Sequence, residues 1–143
     1  MKYKGKPCVV EVWDTSQAVV KAPFGITVIT AEFQEGLNRQ LMKKGIPLEQ
    51  KNPDSEVFAR GKYVRVDAGN RLLRYILSLL AGQAVIEVEG ELIVKGEPKA
   101  SLHAKAKQGW GLFGGNSESL LKGCAKTCAR RIAKQVASSL KRA

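Results

Sequence analysis

The chain has 143 residues, 44% hydrophobic and 26% charged, with 24 Lys and Arg against 13 Asp and Glu for a formal net charge of +11. That length suits one domain, residues 1–143, burying roughly 70% of the surface its unfolded chain would expose, so no metal or disulfide staple is required. The composition is that of an ordinary soluble globular protein and the longest apolar run is about half the ~20 residues a spanning helix needs, which sets a transmembrane helix aside.

Cys8, Cys124 and Cys128 are an odd number of thiols without a C-x-x-C spacing, so buried reduced cysteines are expected, with no metal and no cofactor. The N-terminus, Met-Lys-Tyr-Lys-Gly-Lys-Pro, runs into strand-like sequence with no apolar stretch of secretory length. Read as it stands the chain has no signal peptide and is cytoplasmic; read as the mature part of a longer protein it belongs to the envelope.

Cys8 to Trp13 is a β-branched run expected to form the first strand, with Cys8, Val10 and Val12 on one face. Asp14 to Phe24 carries no period, contains Pro23 and reads as a long loop. From Ile26 to Lys44, the spacing of Ile26, Ile29, Phe33, Leu37 and Leu41 predicts a helix with one apolar face, stopped by Gly45 and Pro47. Gly36 weakens that helix unless something packs close to it. Residues 46–55, with Pro47 and Pro53, form a connection, and Glu56 to Val66 reads as a strand bulged near Gly61.

Residues 69–82, Gly-Asn-Arg-Leu-Leu-Arg-Tyr-Ile-Leu-Ser-Leu-Leu-Ala-Gly, are the sequence's oddity. On a helix, Arg71, Arg74 and Ser78 make one narrow polar stripe and leave most of the circumference apolar, including Leu72, Leu73, Ile76, Leu79 and Leu80, with the Tyr75 ring beside them. Such a surface is either tucked under the domain's own sheet or is a contact patch for a partner subunit or a membrane surface. Arg71, Leu72, Leu73, Arg74, Tyr75, Ile76, Leu79 and Leu80 are therefore the candidate partner-binding residues.

The alternation of Ala84, Ile86, Val88, Gly90, Leu92 and Val94 with Glu87, Glu89 and Glu91 predicts a half-buried strand. After Gly96-Glu-Pro98 the alternation resumes through Ala100, Leu102, Ala104 and Ala106, giving an antiparallel hairpin. The three glutamates then face Lys105, Lys107 or His103 and read as a neutralised solvent face rather than as a metal or acid-base site. His103 has no nucleophile placed near it by any motif.

Gln108 to Gly115 is a glycine-rich loop that lacks both the lysine-serine ending of a phosphate loop and the dinucleotide spacing; Trp110 and Phe113 serve it as anchors. Asn116 or Ser117 caps a final helix whose apolar face is Leu121, Cys124, Ala125, Cys128, Ala129, Ile132 and Val136. Its other side carries Lys122, Lys126, Arg130 and Lys134 with no acid after Glu118, and is the candidate anion-binding face for nucleic acid or an anionic lipid surface.

The element order predicts an α+β two-layer domain: a mainly antiparallel sheet with two amphipathic helices on one face, in the order β-α-β-β-β-α. With no catalytic residues in evidence, the expected role is a non-enzymatic interaction module that forms a homo-oligomer or binds another protein.

The run Arg60-Gly-Lys-Tyr-Val-Arg-Val-Asp-Ala-Gly-Asn-Arg-Leu-Leu-Arg74, followed by Ala81-Gly82 and Ala84-Val-Ile-Glu-Val88, resembles a bacterial family known only as a domain of unknown function. The resemblance covers roughly residues 55 to 140, and its most specific pieces are Gly69, Arg71, Arg74 and Gly82. It implies an envelope-type protein, similar in fold to the small domains of curli-secretion lipoproteins, and implies no reaction, substrate or cofactor.

Overall fold

The computed structural model of the protein describes residues 5–22, 24–69, 83–108 and 117–142. In chain order these form β1 (Cys8–Val10), β2 (Val19–Lys21), α1 (Thr27–Lys43), β3 (Val57–Asp67), β4 (Ala84–Val94), β5 (Glu97–Gln108) and α2 (Ser117–Lys141). The sheet runs β1-β3-β4-β5, with β2 continuing beside β3 where β1 has ended. Strands β3, β4 and β5 are antiparallel neighbours, whereas β1 and β2 lie parallel to β3. This is the α+β two-layer architecture that the element order predicts.

The β4–β5 hairpin turns through Lys95 (φ 54°) and Gly96 (φ 80°), a two-residue connection with both residues left-handed. The turn is thus tighter than the expected Gly96–Pro98 loop. Pro98 lies within β5, opposite Ile93 where the register shifts, on an edge strand that needs no donor from it. The bulge in β3 falls between Tyr63 and Arg65, not at Gly61.

One face of the sheet carries Val57, Ala59, Tyr63, Ile86, Val88, Leu92, Leu102 and Ala104, all buried. Helix α2 lies on it with Leu121, Cys124, Ala125, Cys128, Ala129, Ile132 and Val136 all buried, as their spacing predicts. Small side chains on this face let the helix come close: the Cys124 and Cys128 Sγ atoms lie 3.6 and 3.5 Å from the Ala84 and Ile86 carbonyl oxygens. Helix α1 packs against α2, and a Cβ added at Gly36 would lie 3.2 Å from the Ala129 Cβ. That close approach is why a glycine is kept in mid-helix.

Helix α1 buries Ile29, Phe33, Leu37 and Leu41, with Ile26 half-buried before its first turn. It ends in a two-bond motif, Gly45 N–H to the Met42 carbonyl (3.0 Å) and Ile46 N–H to the Leu41 carbonyl (3.1 Å). Gly45 supplies the required positive φ of 80°, and Ile46 is buried beside it.

The N-terminal segment differs from the expected strand Cys8–Trp13. β1 stops at Val10, Val12 is exposed, and Val9 is buried in its place. The chain kinks at Glu11–Trp13, where the Gln34 side chain donates to the Glu11 carbonyl (3.0 Å) and accepts from the Trp13 N–H (3.3 Å). Pairing with β3 then resumes through Asp14 N–H to Gly61 carbonyl (3.0 Å) and Tyr63 N–H to Asp14 carbonyl (2.8 Å). The kink turns the Trp13 indole onto the inner face of the sheet above the cross-strand pair Gly61–Gly90. There Phe33 meets it edge-on at 5.2 Å and meets Tyr63 at 5.5 Å.

Candidate functional site

The candidate partner-binding residues Arg71, Leu72, Leu73, Arg74, Tyr75, Ile76, Leu79 and Leu80 lie outside the described residues, as do Gly82 and the glycine-rich loop from residue 109 to Asn116. Their points of departure are fixed. Asp67 closes β3 by accepting from the Gly69 N–H (2.8 Å) and from Arg65 Nη2 (2.7 Å), and Ala68 N–H donates to the Lys21 carbonyl (2.9 Å). Gly69 has φ 78°, which explains why glycine stands at this position of the run resembling the family.

Because β3 and β4 are antiparallel and Ala84 pairs with Gln108, the chain leaves for residues 70–82 and for residues 109–116 from the same end of the sheet. β2 pairs with that end of β3, through Val19–Arg65 to Lys21–Asp67. Val19 and Val20 are 54% and 43% exposed, and Val28 in the first turn of α1 is 46% exposed. The expected loop Asp14–Phe24 thus contains a short strand, β2, whose character comes from its pairing with β3. Its one signal was the adjacent β-branched pair Val19-Val20, too short for a periodicity.

The four cations of the candidate anion-binding face do not act as one stripe. Lys122 pairs with Glu118 at 3.5 Å within α2, and Lys126 pairs with Glu32 of α1 at 3.4 Å. Arg130 and Lys134 remain exposed without an ion pair among the described residues. Half of the charge that the sequence places on this face is neutralised locally, by residues the linear spacing could not bring together.

The outer face of the sheet carries the glutamates, and the β4–β5 register sets Glu87 opposite Lys105 and Glu89 opposite His103, as expected, with Glu91 opposite Ser101; the ion pairs, however, go mostly elsewhere. Glu91 receives Arg60 at 2.8 Å, Glu89 faces Lys62 at 3.6 Å, and only Glu87 takes a partner from β5, His103 Nε2 at 2.7 Å. Most of the pairing thus crosses to β3, which is separated from β4 by 16 residues of sequence, too many for local spacing to predict the register. A shallow concavity of about 650 Å³ lies over these pairs, with Glu11 and Asp14 on its rim. Exposed ion pairs of this kind contribute about 0–1 kcal/mol each and serve mainly as a solvated surface.

In the core, Cys8, Cys124 and Cys128 are free and buried. Burial pushes the thiols of Cys8 and Cys124 up from 9.0 to about 11, and that of Cys128 to about 12 with the neighbouring Cys124 as a second cause. They are suited to packing rather than nucleophilic chemistry. The Tyr63 hydroxyl is buried without a hydrogen-bond partner among the described residues, and burial raises its pKa well above the phenol's ordinary value. Removing an unpartnered buried hydroxyl relieves its desolvation, so Tyr63→Phe should leave stability unchanged or raise it by up to about 1 kcal/mol. A urea midpoint that falls in this variant would show that the hydroxyl is hydrogen-bonded after all.

A family model described as a domain of unknown function, DUF4410, matches residues 27–115, from the start of α1 into the glycine-rich loop. The chain belongs to this family. The DUF4410 match begins earlier than the run from Arg60 that carries the resemblance in sequence, and takes in α1 as well as β3, β4 and β5. No curated protein matches this DUF4410 chain in sequence. Among solved structures, a Xanthomonas campestris protein of family DUF330 superposes with a TM-score of 0.63 at 11% identity, over 95% of this chain and 83% of its own. A minor lipoprotein from Acinetobacter baumannii gives 0.57 at 16% identity over 93% of each chain. PelC from Paraburkholderia phytofirmans, a dodecamer, gives 0.52 at 13% identity over 98% of this chain and 89% of its own. At these identities the likeness is one of fold, shared with envelope-type and, in one case, oligomeric proteins. Among the described residues of the DUF4410 chain, no helix is long and apolar enough to cross a membrane.

Proposed function

We propose that this protein is a non-catalytic assembly module of the bacterial envelope that self-associates through the sheet end from which residues 70–82 depart. The observation that carries the reading is the concentration of apolar character there. The sequence of residues 71–80 is apolar around most of a helical circumference, Val19 and Val20 lie exposed beside the end of β3 from which it departs, and Val28 is exposed in the first turn of α1, which follows β2 in the chain. The fold is compatible with such a role, since it covers most of the PelC subunit, whose structure is a dodecamer, and most of a minor lipoprotein. Anion binding along the whole length of α2 is less well supported, because Lys122 and Lys126 already have carboxylate partners.

The test is the mass of the chain by light scattering across a concentration series reaching about 0.5 mM, where an interface of ordinary size is populated. An oligomer is expected, and Leu79→Glu should convert it to a folded monomer. Because Leu79→Glu would unfold the protein if that side chain serves the core, Val28→Glu provides a second variant at an already exposed position. It should weaken association without loss of helical signal. A wild-type chain that stays monomeric throughout would overturn the proposal.

A further inference from the structure

The last turns of α2 are clamped to the outer edge of β5 by side chains that imitate a neighbouring strand. Gln135 Oε1 accepts from the His103 N–H at 2.9 Å and its Nε2 donates to the His103 carbonyl at 2.6 Å, while Arg131 Nη1 donates to the Lys105 carbonyl at 2.6 Å. The edge is thereby capped at its middle. Two residues before His103, Ser101 has the same strand parity, so its backbone N–H points to that edge too. Between Ser101 and the end of α2 lies a depression of about 310 Å³, lined by Ser101, Lys134, Gln135, Ser138, Ser139 and Arg142.

Its lining has one chemical character. Lys134 and Arg142 bring two positive charges, Ser138 and Ser139 bring hydroxyl donors, and no carboxylate lines it among the described residues. Neither cation has an ion pair among the described residues, unlike Lys122 and Lys126 on the same helix. Cations in a last helical turn also complement the helix dipole, but that role requires neither a concavity nor hydroxyls, and Lys134 lies about two turns before the end. In a chain of net charge +11, two cations without an ion pair among the described residues that line one small depression hold its potential positive, which favours an anion there.

We propose that this depression binds a phosphoryl group, held by Lys134 and Arg142 and hydrogen-bonded by the hydroxyls of Ser138 and Ser139 and the Ser101 N–H. A tetrahedral anion that only accepts hydrogen bonds matches a lining in which two charged groups and several donors converge without a competing acid. The group could be carried by a soluble phosphorylated ligand or by a phospholipid headgroup, and the chemistry of the site is the same for both. This proposal is independent of the assembly reading, because α2's last turns lie at the end of β5 near its start, opposite the end from which residues 109–116 leave.

The experiment titrates the full chain with inorganic phosphate at low ionic strength, followed by backbone NMR shifts, and in parallel measures cosedimentation with phosphatidylcholine vesicles with and without phosphatidylglycerol. Saturable binding is expected, with the largest shifts at Ser101 and Ser138–Arg142. The double variant Lys134→Ala, Arg142→Ala should weaken it about tenfold or more, while Lys107→Ala, Arg130→Ala, which removes the same charge elsewhere, should change it less than about twofold. Vesicle binding that follows the same ranking assigns the group to a lipid headgroup; phosphate binding without vesicle binding assigns it to a soluble ligand. Equal losses in the two double variants, or no saturation by about 10 mM phosphate with no vesicle binding, would overturn the proposal.

Discussion

Replacing Gly90 with alanine should destabilise the protein by about 3 kcal/mol or more, enough to leave much of it unfolded, although only one methyl group is added. Gly90 and Gly61 face each other across β3 and β4, and the Trp13 ring lies over both. A Cβ at Gly90 would stand 2.8 Å from the Gly61 Cα and 2.9 Å from Trp13 Cη2, with the Arg60 carbonyl oxygen closer still. A side-chain ring can shift; the backbone of the partner strand, held in the ladder, cannot. Hence Trp13→Ala, which should itself cost about 3–5 kcal/mol through the emptied volume, should not rescue Gly90→Ala when the two are combined. Urea unfolding of the three variants checks this. A Gly90→Ala protein within about 1 kcal/mol of wild type would mean that the two strands are not held at this spacing.

Raising the pH above 9 should destabilise the fold steeply, and the three buried thiols set the sign. In the unfolded chain they lose their protons near 9.0, whereas burial holds the native thiols protonated to about 11 for Cys8 and Cys124 and about 12 for Cys128. Between those limits the native state keeps protons that the unfolded state has released, so stability is fully present below pH 9 and is lost as the pH rises toward 11 and 12. The limiting slope is about 1.4 kcal/mol per pH unit for each thiol, and the Tyr63 phenol adds to it in the same direction. Urea midpoints at pH 8, 9 and 10 should show the decline, and Cys124→Ala with Cys128→Ala should flatten it. The same burial predicts that all three thiols react slowly with a thiol reagent in the native protein and fully in urea. Rapid labelling of Cys124 and Cys128 at pH 8 would remove both expectations at once.

The two halves of the molecule were unequally legible from sequence. Helices α1 and α2 and the β4–β5 hairpin follow from periodicity alone, because each is a long element with one buried face. All seven residues assigned to the apolar face of α2 are buried, and so are Ile29, Phe33, Leu37 and Leu41 of α1. The N-terminal segment was not legible in the same way. β1 and β2 have three residues each and owe their strand character to β3, which they reach over a sequence separation of more than 40 residues. With Gln34 holding the kink between them, Trp13 turns inward and Val12 outward, the reverse of what unbroken alternation requires.

The residues of this chain therefore determined by themselves its α+β class, its two amphipathic helices, its buried thiols and the excess of base, since those depend on local spacing and composition. Tertiary structure decided where the charges find partners. Glu89 and Glu91 pair with β3 and Lys126 with α1, which leaves only part of the basic helix free and gathers Lys134, Arg142 and Ser101 into one depression. Tertiary structure also decided why Gly61 and Gly90 cannot bear a side chain. Helical and strand periods report which side of an element is apolar; which residue of another element lies opposite depends on register, kinks and crossovers, and no period in the chain encodes them.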